Sequence, residues 1–312
     1  MAKKVPDYNV ATDGVTQGLL AAWMTCRQKA RWACERWSQK RPAINTTGFG
    51  DLAHQALSHL YRQKDAPTED DVADLVSRLT TEFEKKHLQR AKAEDLEFLE
   101  ILGINLEQVL QAYVRRYEED WLGDQFVETE LDFRVLVNGV PLRGKIDGVV
   151  RRGTKWWVFE TKTRTQIADN LVRQLAIDFQ SQLYCLALEA IRGKQAAGVL
   201  YNVIRNPGLK PGKGNLGGFA ERLRADLEGR PDWYFRRFEV VGVKADHAAF
   251  AANLAVVLGE FQDWVAGKSP CWRNHAACFG SWYPCDYLDL CTSGNTTGYV
   301  QRPVMFPELE PE

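Results

Sequence analysis

Residues 128–164, ETELDFRVLVNGVPLRGKIDGVVRRGTKWWVFETKTR, decide how this chain is read. Polar and apolar side chains alternate over 128–137, the period-two signature of a strand. Asn138-Gly139 follows, a strong hairpin signal because both residue types tolerate the positive φ that a tight two-residue turn demands, so 140–150 returns as a second strand. Arg151-Arg152-Gly153-Thr154 turns again, and Trp156-Trp157-Val158-Phe159 is apolar on both faces, as a strand in the middle of a sheet would be. These strands predict a meander whose third member ends in Glu160-Thr161-Lys162-Thr163. Glu160 and Lys162 are two apart and project from one face, with Asp147 on the preceding strand within reach. Burying two carboxylates and an ammonium is costly unless the charges pair or hold a metal. Two hard carboxylate oxygens suit Mg²⁺ or Mn²⁺ with open water positions, and such an ion acidifies a water and neutralises charge on a phosphodiester. Lys162 is then placed to orient that water or to stabilise the developing phosphorane. An isolated E-x-K also reads as a solvated ion pair at a strand end.

Outward from this stretch, residues 15–40 carry Leu19, Leu20, Trp23, Ala30, Ala33 and Trp37 at helical spacing until Pro42, and include Cys26 and Cys34. Thr46-Thr47-Gly48 offers capping chemistry for a second helix over about 49–61, which carries His54 and His59. Residues 69–119 read as a long helical arm with Val72, Leu75, Leu79, Phe83, Leu96, Leu99, Val109 and Val114 on one side. Beyond the meander, 170–192 is helical, 198–204 is a strand that rejoins the sheet after a crossover, and 205–218 is a loop rich in Gly, Pro and Lys. A strand at about 234–241 and a helix at about 245–265 follow, and the tail beyond Gly298 reads as frayed. The fold class is therefore α/β, a mixed sheet core around 126–204 flanked by helices. No internal repeat is present.

The 312 residues allow one large domain or two smaller ones. An apolar share of 45% and a charged share of 26% exclude a disordered, collagenous or low-complexity chain. Forty basic residues against 41 acidic ones leave a formal charge of −1, so an anionic partner must be met by a local basic patch. The loop from Arg205 to Gly214 supplies Arg205, Lys210 and Lys213 on flexible backbone, and Arg164 and Arg173 lie nearby in sequence; these five are the candidate nucleic-acid contacts. A solvated hairpin loop is the other reading of that segment. It is no P-loop, having the wrong spacing and ending in Gly, so no ATPase motor is encoded there. The start, Met1-Ala2-Lys3-Lys4-Val5-Pro6-Asp7, lacks a secretory apolar core and no stretch approaches a membrane span, which reads as a cytoplasmic chain with no membrane partner. In a reducing compartment seven cysteines call for burial or metal rather than disulfides.

Gly144-Lys145-Ile146-Asp147 followed by Glu160-Thr161-Lys162 resembles the G-x-x-D … E-x-K core of the PD-(D/E)XK nucleases. Gly50-Asp51-Leu52-Ala53-His54 resembles the G-x-x-x-H of their RecB-like branch, and Gln180-Ser181-Gln182-Leu183-Tyr184 resembles its Q-x-x-x-Y, at i and i+4 on one helix face. The order of the four elements also matches. The resemblance, over about 15–292, implies a restriction-endonuclease-like fold in one RecB-like nuclease domain over 1–312. Its parts would be N-terminal helices (15–62), a helical arm (69–120), the catalytic core sheet (126–204), a loop, strand and helix (205–266), a Cys-rich segment (267–292) and a tail (298–312). It implies that His54, Asp147 and Glu160 bind Mg²⁺ or Mn²⁺, that Lys162 assists the attacking water, and that Gln180 and Tyr184 position the strand or the metal shell. The implied activity is exonucleolytic hydrolysis at DNA ends in recombination, repair or processing, similar to phage recombination exonucleases and CRISPR adaptation nucleases. The implied setting is a bacterial or phage-infected cell, with a helicase or annealing protein as a possible partner. A structure- or sequence-specific endonuclease and a non-catalytic DNA-end binding subunit stay open.

Cys278, Cys285 and Cys291 are separated by six and five residues, too wide for paired C-x-x-C zinc knuckles. RecB-like nucleases with a 4Fe-4S iron-sulfur cluster place one cysteine before the core and three after it, and Cys26 with these three resembles that pattern, implying a metal-stapled C-terminal segment. The chain departs from the pattern in lacking a tight C-x-x-C pair and in carrying Arg27, where proline is frequent, after Cys26. Cys34 and Cys271 are possible substitutes, zinc or buried free thiols are the alternatives, and Cys185 reads as core.

Overall fold

The computed structural model describes residues 8–39, 44–87, 93–122, 126–168, 170–212, 216, 218–241, 244–280 and 284–310. Before the meander come α1 (Val10–Asp13), β1 (Val15–Thr16), α2 (Gln17–Thr25), α3 (Arg27–Cys34), β2 (Trp37–Gln39), α4 (Ile44–Leu60), α5 (Glu69–His87) and α6 (Ala93–Arg116). The meander is β3 (Phe126–Val137), β4 (Val140–Arg152) and β5 (Lys155–Arg164). Asn138 and Gly139 take φ of 49° and 77° at its first turn, the left-handed pair that the hairpin requires. The chain crosses over through α7 (Leu171–Leu175) and α8 (Phe179–Arg192) to β6 (Gly198–Arg205), which runs parallel to β5. Then follow α9 (Phe219–Gly229), α10 (Pro231–Tyr234), β7 (Phe235–Val241) antiparallel to β6, α11 (Lys244–Val265), α12 (Leu288–Ser293) and β8 (Tyr299–Gln301).

The sheet is mixed and has helices on both faces. Its order is β1-β4-β5-β6-β7, with β3 on the other edge of β4. Alternation along β5 sorts the two faces: Val158 packs with Leu20 and Trp23 of α2, Leu183 and Leu188 of α8, and Leu258 and Phe261 of α11. Trp157 and Phe159 pack with Leu57 of α4, Leu79 of α5 and Leu106 and Leu110 of α6. β4 serves more partners than one strand can hold in parallel. β3 follows it along 140–150, whereas β5 pairs only with 148–152 and β1 with 142–143. β4 and β5 therefore part after Gly148, and Asp147 and Glu160 stand at the fork.

The tertiary structure corrects several sequence readings. The helix expected over 15–40 is two helices, because Cys26 is extended (φ −160°, ψ 115°), and its last turn is instead β2. Over its described residues, 299–310, the tail is not frayed: β8 pairs with β2, Trp37 opposite Gln301 and Gln39 opposite Tyr299, and Phe306 is buried in the core. Pairing partners more than 250 positions apart leave no trace in local periodicity. The helix expected from about 49 begins at Ile44. The helix expected over 170–192 is interrupted between Leu175 and Phe179, where Asp178 caps α8 by accepting the Ser181 amide hydrogen bond (3.0 Å). The segment read as an arm does not project. Its two helices lie on the sheet, and their apolar stripe is the second core.

One buried polar cluster ties that layer to the sheet. Arg237 of β7 donates to both carboxylate oxygens of Asp120 (2.8 and 2.6 Å) and to the hydroxyls of Tyr61 (2.9 Å) and Tyr113 (2.8 Å), while its guanidinium lies 3.6 Å from the Tyr117 ring centroid. Burial disfavours the Arg237 cation, but the surrounding phenols and Asp120 outweigh that and raise its pKa.

Candidate active site

Two glycines explain how the helices come close to the fork. A β-carbon at Gly144 would stand 2.6 Å from the Phe133 ring, which packs edge-on to Tyr184 of α8 with centroids 5.8 Å apart. A β-carbon at Gly50 would stand 2.9 Å from the Thr163 hydroxyl, so α4 approaches the end of β5 only because that carbon is missing. One helical turn after Gly50, His54 reaches Asp147, its Nδ1 3.2 Å from Oδ2. The same Asp147 oxygen accepts the Thr161 amide at 2.9 Å, a backbone donor that the parting of β4 from β5 leaves without a strand partner.

Glu160 is 1% exposed. Its Oε1 accepts from the Lys162 ammonium at 2.8 Å, and its Oε2 has no hydrogen-bond partner among the described residues. Lys162 also donates to Gln180 Oε1 at 2.8 Å, and the Gln180 amide donates to the Tyr184 hydroxyl at 3.1 Å. Burial, reinforced by the negative charge of Asp147, pushes the Glu160 carboxyl up to about 8 despite Lys162 beside it. Burial alone would lower the His54 imidazole, but the Asp147 hydrogen bond and the charges of Asp147 and Glu160 raise it. The structure thus brings His54, Asp147, Glu160, Lys162, Gln180 and Tyr184 into one connected cluster.

A residue that sequence reasoning missed joins them. Glu130 stands opposite Asp147 on β3 in a left-handed conformation, φ 52°, rare for a non-glycine residue. Burial and the Asp147 charge raise its carboxyl, and Lys145 at 3.4 Å opposes the shift. Strand alternation carries no sign of this distortion; an extra carboxylate opposite Asp147 was its only signal. His54, Glu130, Asp132, Lys145 and Glu310 line the adjoining cleft.

Whether the site suits a divalent cation turns on Glu160. A desolvated carboxylate oxygen without a donor, close to a second carboxylate, is costly in the free protein and suits a hard cation. Among the described residues, however, no three of His, Cys, Asp and Glu are gathered so that they could hold a metal ion. Asp147 and Glu160 are two hard oxygen donors of the kind Mg²⁺ or Mn²⁺ takes in an open site, with Asp147 Oδ2 still engaged by His54 and Thr161. Without metal, Glu160→Gln is expected to stabilise the fold by about 1–3 kcal/mol near neutral pH, the scale of an uncompensated buried polar group. The sign follows from the raised carboxyl. Its penalty is absent below the ordinary glutamate range and grows as pH rises from about 4.5 to about 8. Thermal melts in EDTA across this range check it: the gap between variant and wild type should widen with pH, and a constant gap would contradict it.

The cysteines are partly convergent. The Asn274 amide donates to Cys26 Sγ at 3.4 Å, Cys278 Sγ donates to the Asn274 carbonyl at 3.7 Å, and the Cys285 amide donates to the Cys278 carbonyl at 2.9 Å. The Trp32 indole donates to Cys291 Sγ at 3.0 Å, and burial, with Cys285 and Cys26 nearby, raises the Cys291 thiol. The four share a neighbourhood, yet they too form no cage among the described residues, so the expected four-thiolate staple finds no support here. Cys34 is wholly buried and its thiol is pushed up by burial and then by the neighbouring Cys271. Cys185 is core, as expected.

Of the expected nucleic-acid contacts, Arg164 and Arg205 are register partners at the ends of β5 and β6, Arg173 is exposed on α7, and Lys210 is exposed in the loop. Lys213 lies outside the described residues. No described helix is long and apolar enough to cross a membrane.

A family model described as the PD-(D/E)XK nuclease superfamily matches residues 16–292. Among solved structures, the crystal structure of SSO0001 aligns with a TM-score of 0.32 and 14% identity, covering 82% of this chain and 99% of that one. No curated protein matches the sequence.

Proposed function

Since the chain belongs to the PD-(D/E)XK nuclease superfamily, we propose that its Asp147–Glu160–Lys162 cluster hydrolyses DNA phosphodiester bonds, working exonucleolytically from DNA ends. The observation that carries the catalytic reading is the buried, donor-free oxygen of Glu160 beside Asp147 and Lys162. Asp147 and Glu160, with His54 at the rim, would hold Mg²⁺ or Mn²⁺. Bound there, the ion would acidify a water and neutralise charge on the scissile phosphate.

The protein's own groups supply the rest. An ammonium has three donors, and Lys162 spends two on Glu160 and Gln180, leaving one for the attacking water or a phosphoryl oxygen. Gln180 and Tyr184 hold that ammonium in place from the first turns of α8, whose start Asp178 fixes. His54 orients Asp147. A non-catalytic DNA-end binding subunit has no need to keep Asp147, Glu160 and Lys162 all intact.

The exonuclease reading rests on the RecB-like motifs at Gly50–His54 and Gln180–Tyr184. It is tested with end-labelled linear DNA beside covalently closed circular DNA in Mg²⁺ or Mn²⁺. Loss of label from linear DNA alone supports it, cutting of the circle supports an endonuclease of the same fold, and binding without cutting supports the DNA-end subunit. Action in recombination, repair or processing, a helicase or annealing partner, and a cytoplasmic setting belong to the same proposal.

Stapling of the Cys-rich segment is a separate proposal, that Cys26, Cys278, Cys285 and Cys291 hold a 4Fe-4S cluster. It rests on the sequence resemblance; of the four, Cys26 and Cys278 both contact Asn274. Anaerobically purified protein is then expected to be brown and to contain iron. Cys285→Ala should bleach it and lower Tm, at roughly 2–4 °C for each kcal/mol lost. Zinc on elemental analysis would replace the cluster with a zinc site, and a colourless, metal-free wild type would leave free thiols.

A further inference from the structure

The sheet carries a second feature beyond Lys162 that the catalytic cluster does not use. Arg164 and Arg205 are register partners on the parallel strands β5 and β6, two residues past the Lys162–Val203 pair. By strand alternation Arg164 shares the face of Glu160 and Lys162, about 7 Å further along. Among the described residues neither arginine meets a carboxylate at ion-pairing distance. Two cationic side chains at one register position of adjacent strands, neither paired to a carboxylate, repel, and an anionic ligand relieves that.

Arg205 is also held in place. Its guanidinium lies 3.8 Å from the ring centroid of Trp233, a tryptophan 48% exposed. The platform under it is rigid. Arg230, 5.4 Å from the same ring, is gripped by both oxygens of Asp226 (2.9 and 2.6 Å), which also accepts from Tyr234, and Arg116 pairs with Asp232 at 2.5 Å. With its charge satisfied, Arg230 acts as backing, whereas the charge of Arg205 is unspent. A planar guanidinium fixed by stacking loses little freedom when it forms two parallel bonds to a phosphate.

We propose that Arg164 and Arg205, the latter positioned by Trp233, clamp the phosphate next to the scissile one on the strand entering the site. This rests on the nuclease reading and deepens it: the substrate is a polynucleotide bearing a second phosphate, not an isolated phosphodiester. Trp233 is a positioning residue.

The test measures anisotropy of a labelled single-stranded oligonucleotide in EDTA, over a range of salt, for wild type, Arg205→Gln, Trp233→Leu and Trp233→Phe. Arg205→Gln is expected to weaken binding about tenfold and to flatten the slope of log K against log salt by about 0.7, the value of one phosphate contact on a single strand. Trp233→Leu should weaken binding about threefold with its slope unchanged, and Trp233→Phe should restore most of that by keeping a ring under the cation. In Mg²⁺, the ratio of kcat/KM for the oligonucleotide to that for bis(p-nitrophenyl) phosphate should fall about tenfold in Arg205→Gln. An unchanged affinity and slope in Arg205→Gln overturns the clamp, as does a wild type that does not bind the oligonucleotide. Equal loss of kcat/KM on both substrates, or no rescue by phenylalanine, likewise assigns these residues a structural role. If wild type cleaves neither substrate the nuclease reading fails, and the binding slopes still decide the clamp.

Discussion

Lys162→Ala is expected to leave a folded protein that cleaves DNA about a hundred- to ten-thousand-fold more slowly, the range for removing a positioned proton-transfer or charge-stabilising group. The fold should persist because Lys162 lies near the end of β5 with its side chain 19% exposed. The chemistry should not. Without the ammonium, Glu160 loses the donor at its Oε1 and the cation that holds its carboxyl down, and Gln180 loses the group it holds. Circular dichroism and a melt establish folding, and single-turnover cleavage gives the loss. Cleavage at the wild-type rate would remove Lys162 from the mechanism.

The largest effect on stability is expected far from the reaction. Arg237→Ala strips Asp120 and the hydroxyls of Tyr61 and Tyr113 of their shared donor, in a cluster where the side chains of Arg237 and Asp120 are only 16% and 13% exposed. Breaking a buried pair from one side leaves an uncompensated charge and costs about 3–5 kcal/mol. Urea unfolding should show that loss as a lower midpoint at an unchanged slope. Arg237→Lys should recover part of it, since an ammonium can reach Asp120 but cannot fork to four acceptors or lie flat on Tyr117. A loss below about 1 kcal/mol, the level of an exposed pair, would show that the cluster is solvated.

Much of the site was legible because its signals are short. Glu160 and Lys162 share a face by strand alternation alone, Gln180 and Tyr184 by helix periodicity, and Asn138-Gly139 by the φ values a two-residue turn allows. Other parts had no local signal. The fork between β4 and β5 arises because β1 takes up part of the β4 edge, and β1 is two residues long. Arg237 reads in sequence as one of two arginines on an edge strand, and Trp233 as one aromatic in a basic run; only packing shows that one is buried in a cluster and the other stacked under Arg205.

By itself, then, the sequence determined the meander, the crossover, the α/β class and the polar residues that the structure gathers at the fork, since each follows from the period, turn chemistry or order of nearby residues. Only the tertiary structure decided that the extended Cys26 splits the first helix and that the 69–120 helices lie on the sheet. It alone also showed that the tail pairs with β2, that Glu130 faces Asp147 from a left-handed backbone, and that Arg205 is fixed on Trp233. These features rest on contacts between distant segments, and their energy enters only when burial brings those segments together and overrides local propensity.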